Sequence, residues 1–178
     1  MGFGDVYKRQ EIREEYAREE AGDQSSEISS SSDELSLEQA TVIRVIDGDT
    51  YELEISGEKQ KVRLIGVDTP ESVAPSDYRT ENTEEGKEVS QIVKEKFQDI
   101  DTVYVEYDVS PTDKYGRTLA YVYFEDGTMV QDWLLENGYA NTATYPPNVK
   151  YADHFAELAH TAAEQKVGLW NGFFEEQN

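Results

Sequence analysis

The chain has no cysteine, which excludes disulfides, zinc–thiolate centres and cysteine nucleophiles. Its two histidines, His154 and His160, are too few for a multi-histidine metal site. No apolar run approaches the roughly 18–20 residues that span a bilayer. The first residues carry no apolar leader-like segment, so no secretory signal is visible in them. Basic residues are also scarce: 16 lysines and arginines stand against 38 acids, a formal net charge of −22. Such a balance argues against a nucleic-acid binder, because phosphate recognition normally comes with a basic field. Hydrophobic residues make up only 37% of the 178 positions. That is below the range of a compact domain, so part of the chain lies outside any core.

Residues 1–40 are that part. They hold eleven acids and four bases, and the stretch from Asp23 to Glu34 is rich in serine and acid. Low hydrophobicity with high charge cannot offset chain entropy, so the segment is expected to be a disordered acidic tail or linker, with a transient helix over Glu11–Glu20 at most.

From Thr41 the pattern becomes period-two. Val42–Ile46 reads as a strand, Asp47-Gly48-Asp49 as a turn, Tyr51–Ile55 as a second strand, and Ser56–Lys59 as a hairpin turn. Lys61–Val67 reads as a third strand, giving an antiparallel meander. A loop with Pro70 and Pro75 follows. Asn82, with Glu85 three residues on, reads as a helix cap. Val89, Ile92, Val93 and Phe97 recur at helical spacing. Thr102–Tyr107 and Leu119–Phe124 read as strands four and five. Met129–Glu136 is a short helix ended by Gly138, and a last helix opens at Asn148 and stops at Gly168. Trp133 and Trp170 are expected in the core, and the two histidines as ordinary helix residues. The order βββ-α-ββ-α-α makes an α+β, mainly β chain. It suits a five-stranded Greek-key barrel of the OB type with three helices, over 41–178.

Three polar clusters interrupt this frame: Asp47-Gly48-Asp49-Thr50, then Arg63 with Asp68-Thr69-Pro70-Glu71, then Asp113-Lys114-Tyr115-Gly116-Arg117. Each alone is an ordinary turn or strand exit. Together they are the parts of a phosphodiester-cleaving site. Asp49 and Asp68 end two strands of one meander and can converge at a rim. Their hard oxygens, with the Thr69 carbonyl, suit Ca²⁺ or a similar cation. Glu71 is close enough to deprotonate a water, and Arg63 and Arg117 can fork onto a phosphate.

In these motifs, and in the terminal Gly168-Leu169-Trp170, the chain resembles the thermonuclease (staphylococcal nuclease-like) family over residues 41–170. The resemblance implies a barrel with three helices and Ca²⁺-dependent hydrolysis of DNA and RNA to 3′-phosphate ends. It places metal ligands at Asp49, Asp68 and the Thr69 carbonyl, with Asp47 behind them. It makes Glu71 the debated general base and Arg63 and Arg117 the transition-state arginines. Lys114 and Tyr115 fall where the terminal phosphate is contacted. Two departures stand out. The family's pair of groove tyrosines is reduced to Tyr145, and the loop after Glu71 is acidic where lysines are usual. The alternative is a catalytically inactive module of the same fold that binds nucleic acid or a protein. The expected partner is DNA or RNA, the expected state a monomer, and the expected location extracellular or the cell surface. The excess of acid predicts adaptation to salt.

Overall fold

The computed structural model describes residues 36–70 and 84–174. Residues 1–35 of the expected tail, Glu71, and the Asn82 cap lie outside the described residues. Strand β1 (Glu38–Asp47) pairs with β2 (Thr50–Ile55), and β2 with β3 (Glu58–Leu64), all antiparallel. The β2–β3 turn is two residues long, Ser56 and Gly57, both at positive φ, the handed turn that matches the strands' own twist. β3 then pairs in parallel with β6 (Thr118–Tyr123), which pairs with β5 (Thr102–Glu106). β5 returns to β1 through Glu38–Thr41, closing the barrel in the order β1-β2-β3-β6-β5. The barrel and the three helices are those expected from the sequence. β1 begins three residues before Thr41, because Glu38-Gln39-Ala40 pairs with β5 although two of its side chains are polar.

The barrel interior takes one side chain in two from each strand, among them Tyr51, Leu53, Val62, Leu64, Val103, Val105 and Val122. Helix α1 (Glu84–Phe97) buries Val89, Val93 and Phe97. Helix α2 (Val130–Glu136) buries Val130, Leu134 and Leu135, and Gly138 follows it as expected. Trp170 is buried and Trp133 packs partly buried against Phe124 and Tyr139.

Helix α3 (Ala152–Glu164) buries Phe155, Leu158, Ala159 and Ala162 on one stripe. Both of its predicted ends shift. It opens at Ala152 because Asn148 is engaged elsewhere, its side chain accepting from the Ser110 N–H and donating to the Ser110 carbonyl. It ends before Gly168: Lys166 takes the left-handed conformation (φ 53°). The N–H groups of Lys166 and Val167 then close back on the Ala163 and Ala162 carbonyls. His154 does more than occupy a helix surface, since its Nε2 sits 3.0 Å from the buried Asp132 carboxylate and ties α3 to α2.

The third strand is where the sequence reading departs most. It does not run through to Val67 but breaks at Ile65. Gly66–Asp68 becomes a separate strand β4, paired with β7 (Asn141–Ala143) in a small second sheet. Among the described residues, no helix is long and apolar enough to cross a membrane.

Candidate active site

The site grows from the strand break. Arg63 is the next-to-last residue of β3, and its side chain turns back over the break. Nη1 donates to the carbonyls of Leu64 (2.8 Å) and Val67 (2.7 Å). Nη2 donates to Asp68 Oδ1 at 3.0 Å and lies 3.4 Å from Asp49 Oδ2. One guanidinium thus holds the backbone of the bend and faces two carboxylates, one from the β1–β2 turn and one from the end of β4.

Asp49 reaches that position from the β1–β2 turn. Asp47 Oδ1 accepts the Gly48 N–H at 2.8 Å, which shapes the turn. Tyr51 donates its hydroxyl to the Gly48 carbonyl. A Cβ on residue 48 would stand 2.6 Å from Thr69 Oγ1, so glycine lets the turn lie directly against the end of β4. Asp49 is buried, accepting from the Thr50 hydroxyl and, at 3.0 Å, from the Thr69 N–H. Asp68 is more open. Burial pushes its carboxyl up to about 6, helped by the neighbouring Asp49 charge, and Arg63 offsets this only in part.

The second arm is the β5–β6 loop. Asp113 folds it by accepting the N–H groups of Tyr115 (3.0 Å) and Arg117 (2.9 Å) on one oxygen and Arg117 Nε (2.8 Å) on the other. Burial pushes this carboxyl up, but the bonds from Arg117 and Tyr115 outweigh it and hold it below the usual carboxylate range. The Arg117 guanidinium and Lys114 both stack on the Tyr115 ring, 5.5 and 5.1 Å from its centroid. That ring is itself 72% exposed and free to take a further partner.

Between the two arms runs a cleft of about 410 Å³. Arg63, Asp113, Lys114, Tyr115, Arg117 and Tyr145 all line it, so six of the residues singled out in the sequence meet here. Asp49 and Asp68 adjoin it through their ion pairs with Arg63, Thr69 follows through its N–H bond to Asp49, and Asp47 shapes the turn that carries Asp49. Ser110 and Asn148 also line the cleft. Sequence reading missed them as site residues, because Asn148 carries the signature of a helix start and Ser110 carries no signature at all.

Among the described residues, no three histidine, cysteine, aspartate or glutamate side chains gather as a metal-holding group. A cation here would rest on two carboxylates, Asp49 and Asp68, plus neutral oxygens. The buried Thr69 hydroxyl oxygen has no hydrogen-bond partner. Burial and then the Asp49 charge raise the Asp68 carboxyl, and a cation between the two carboxylates would relieve the second of these. The donor set is all oxygen, which suits a hard divalent ion.

The sequence model of the family described as staphylococcal nuclease homologue matches residues 61–172. The chain is 41% identical over 140 residues to a thermonuclease of Staphylococcus intermedius, covering 79% of this chain and 80% of that one. It is 40% identical to a thermonuclease of Staphylococcus hyicus, covering 73% and 74%. It is 37% identical to the endonuclease YncB of Bacillus subtilis, covering 79% and 65%. Barrel, cleft and relatives agree, and the chain belongs to the staphylococcal nuclease homologue family.

Proposed function

We propose that the chain is a Ca²⁺-dependent nuclease that hydrolyses phosphodiester bonds of DNA or RNA, leaves 3′-phosphate ends, and works best at high salt. The observation that carries this is the placement of Arg63 and Arg117 on one cleft, with Asp49 and Asp68 at its edge. A module that only bound nucleic acid would gain nothing from two carboxylates where a phosphate must sit.

Asp49, Asp68 and the Thr69 carbonyl would hold the cation. What it supplies when bound is neutralisation of charge at the phosphate. Arg63 and Arg117 fork onto the phosphate oxygens and stabilise the charge that builds there in the transition state. Glu71, two residues past Thr69, takes the proton of the attacking water. Lys114 and the Tyr115 hydroxyl hold the neighbouring phosphate, and Tyr145, 74% exposed, offers a face for one base.

The test is cleavage of DNA and RNA oligonucleotides with saturating Ca²⁺ and with chelator, with analysis of the product ends. Cleavage is expected only with the metal. Arg117→Lys, which keeps the charge and loses the fork, should lower the rate by roughly 10²–10³. A wild-type protein that binds the oligonucleotides and cleaves none would instead be an inactive binding module.

A further inference from the structure

The break between β3 and β4 creates a problem that Gln131 solves. Up to Leu64, β3 runs parallel to β6, in the pairs Val62↔Thr118, Arg63↔Leu119 and Leu64↔Ala120. The Ile65 N–H still reaches the Ala120 carbonyl at 3.0 Å. Beyond that point β3 leaves the barrel for the second sheet. The buried Val122 N–H of β6 and the Ile65 carbonyl then have no strand beside them. An unpaired backbone group at such a position would be costly.

Gln131, on α2 and wholly buried, supplies the missing strand with its side-chain amide. Its Oε1 accepts the Val122 N–H at 3.2 Å. Its Nε2 donates to the Ala120 carbonyl at 3.1 Å and to the Ile65 carbonyl at 3.3 Å. One side chain thus stands in for the backbone of a departed strand. Arg63 satisfies the adjoining carbonyls, Leu64 and Val67, from the cleft side. The bend is clamped from both sides, by Gln131 beneath Ile65 and by Arg63 above its neighbours.

We infer that Gln131 is a positioning residue for the nuclease site, fixing through the Ile65 bend the placement of the Arg63 guanidinium and of Asp68. The inference rests on the nuclease reading for its kinetic consequence, and on geometry alone for its structural one. The hydrogen bonds of Gln131 go to Val122, Ala120 and Ile65, and none to Lys114, Tyr115 or Tyr145, which lie on other loops. Its loss should therefore misplace the transition-state contact and leave the groove intact. Gln131→Met keeps length and removes both donor and acceptor. Gln131→Glu keeps the acceptor for Val122 and removes the donors.

Both variants are to be assayed at a temperature where thermal melts show them fully folded. The expected result is a fall in kcat on the order of 10–10² with KM changed less than about threefold, the pattern of a contact made only in the transition state. The guanidinium NMR signal of Arg63, recorded without metal or substrate, should shift in both. In the wild type, the Gln131 side-chain amide protons should exchange slowly with solvent, a readout that requires no variant to fold. A lowered melting temperature with unchanged kcat and an unmoved Arg63 signal would overturn the inference, as would fast exchange of the Gln131 amide. If the wild type cleaves nothing, the nuclease reading fails. The positioning role is then decided by the Arg63 signal, which supports it by shifting and sinks it by staying in place.

Discussion

Asp68 shows how this site is built at a cost to the fold. Its carboxyl lies near Asp49 and shares Arg63 with it, and its pKa in the folded chain is about 6, raised from its ordinary value by burial and then by the Asp49 charge. A carboxyl raised on folding is a liability above that value. The unfolded chain carries the charge freely while the folded chain must force it into place, so stability falls as pH rises through about 6. Conversely, the penalty disappears as pH falls toward the unfolded carboxylate range. More than half of the side chain meets solvent, which limits the effect to on the order of 1 kcal/mol. Without metal, Asp68→Asn is therefore expected to raise the melting temperature at pH 7–8 (conditions chosen for the test) and to flatten its rise between pH 7 and pH 5. Melts in chelator across that range check it; equal melting curves for the two proteins would remove Asp68 as a source of strain. The three acid–base clusters were legible because carboxylate, guanidinium and turn glycine each carry a local signature. What joins them was not legible, since it runs through backbone carbonyls, which sequence does not distinguish.

At the scale of elements, the long alternating strands and the apolar helix stripes were readable because burial imposes their period. β4 and β7 were not, at three residues each, too short for any period to show. The only sign of the break is Gly66, at φ 84°. A methyl group there would meet both the backbone penalty of that conformation and the Phe155 ring, whose Cε2 would lie 2.6 Å away. Because α3 packs directly on the bend, the ring cannot withdraw freely. Gly66→Ala is expected to cost about 2–4 kcal/mol, combining backbone strain with overpacking. Urea unfolding measures this, and a loss below about 0.5 kcal/mol, the size of an ordinary surface change, would mean that the bend tolerates a side chain. The two misplaced ends of α3 have the same kind of origin. Asn148 and Lys166 act through a contact and a backbone angle that their residue types do not announce.

For the whole molecule the dominant quantity is charge. Even without the first 40 residues, 27 acids face 12 bases, and a polyanionic substrate must approach that field. Surface acids also repel one another in the compact state. Raising salt from 0.1 M to 1 M shortens the Debye length from about 10 Å to about 3 Å. The long-range repulsion is screened first. The short contacts of Arg63, 15% exposed at its side chain, are screened least. Melting temperature and nuclease activity at fixed saturating Ca²⁺ are therefore both expected to rise over that range. Ordinary nucleic-acid binders weaken instead, because releasing counterions from phosphate gains less free energy into a saltier solution. A melting temperature flat in salt, with activity falling throughout, would count against adaptation to salt.

Closure of the barrel has a further consequence, for solubility. β1 and β5 pair through Glu38–Thr41 and Thr102–Val105, with one further bond from the Val42 N–H to the Asp101 carbonyl, so the barrel has a seam, and three of its four residue pairs lie before the first strand position that alternation reveals. A fragment starting at Thr41 would leave bare those backbone donors and acceptors of Val103-Tyr104-Val105 that face β1, while β6 still pairs the other side of the strand. That edge is short, β-branched and aromatic, uncharged and free of proline, the composition that recruits a second strand of the same kind. Such a fragment should scatter light and sediment as oligomers at concentrations where a chain starting at Leu37 stays dispersed. Glu38, Gln39 and Ala40 thus act as the protein's guard against edge-to-edge self-association.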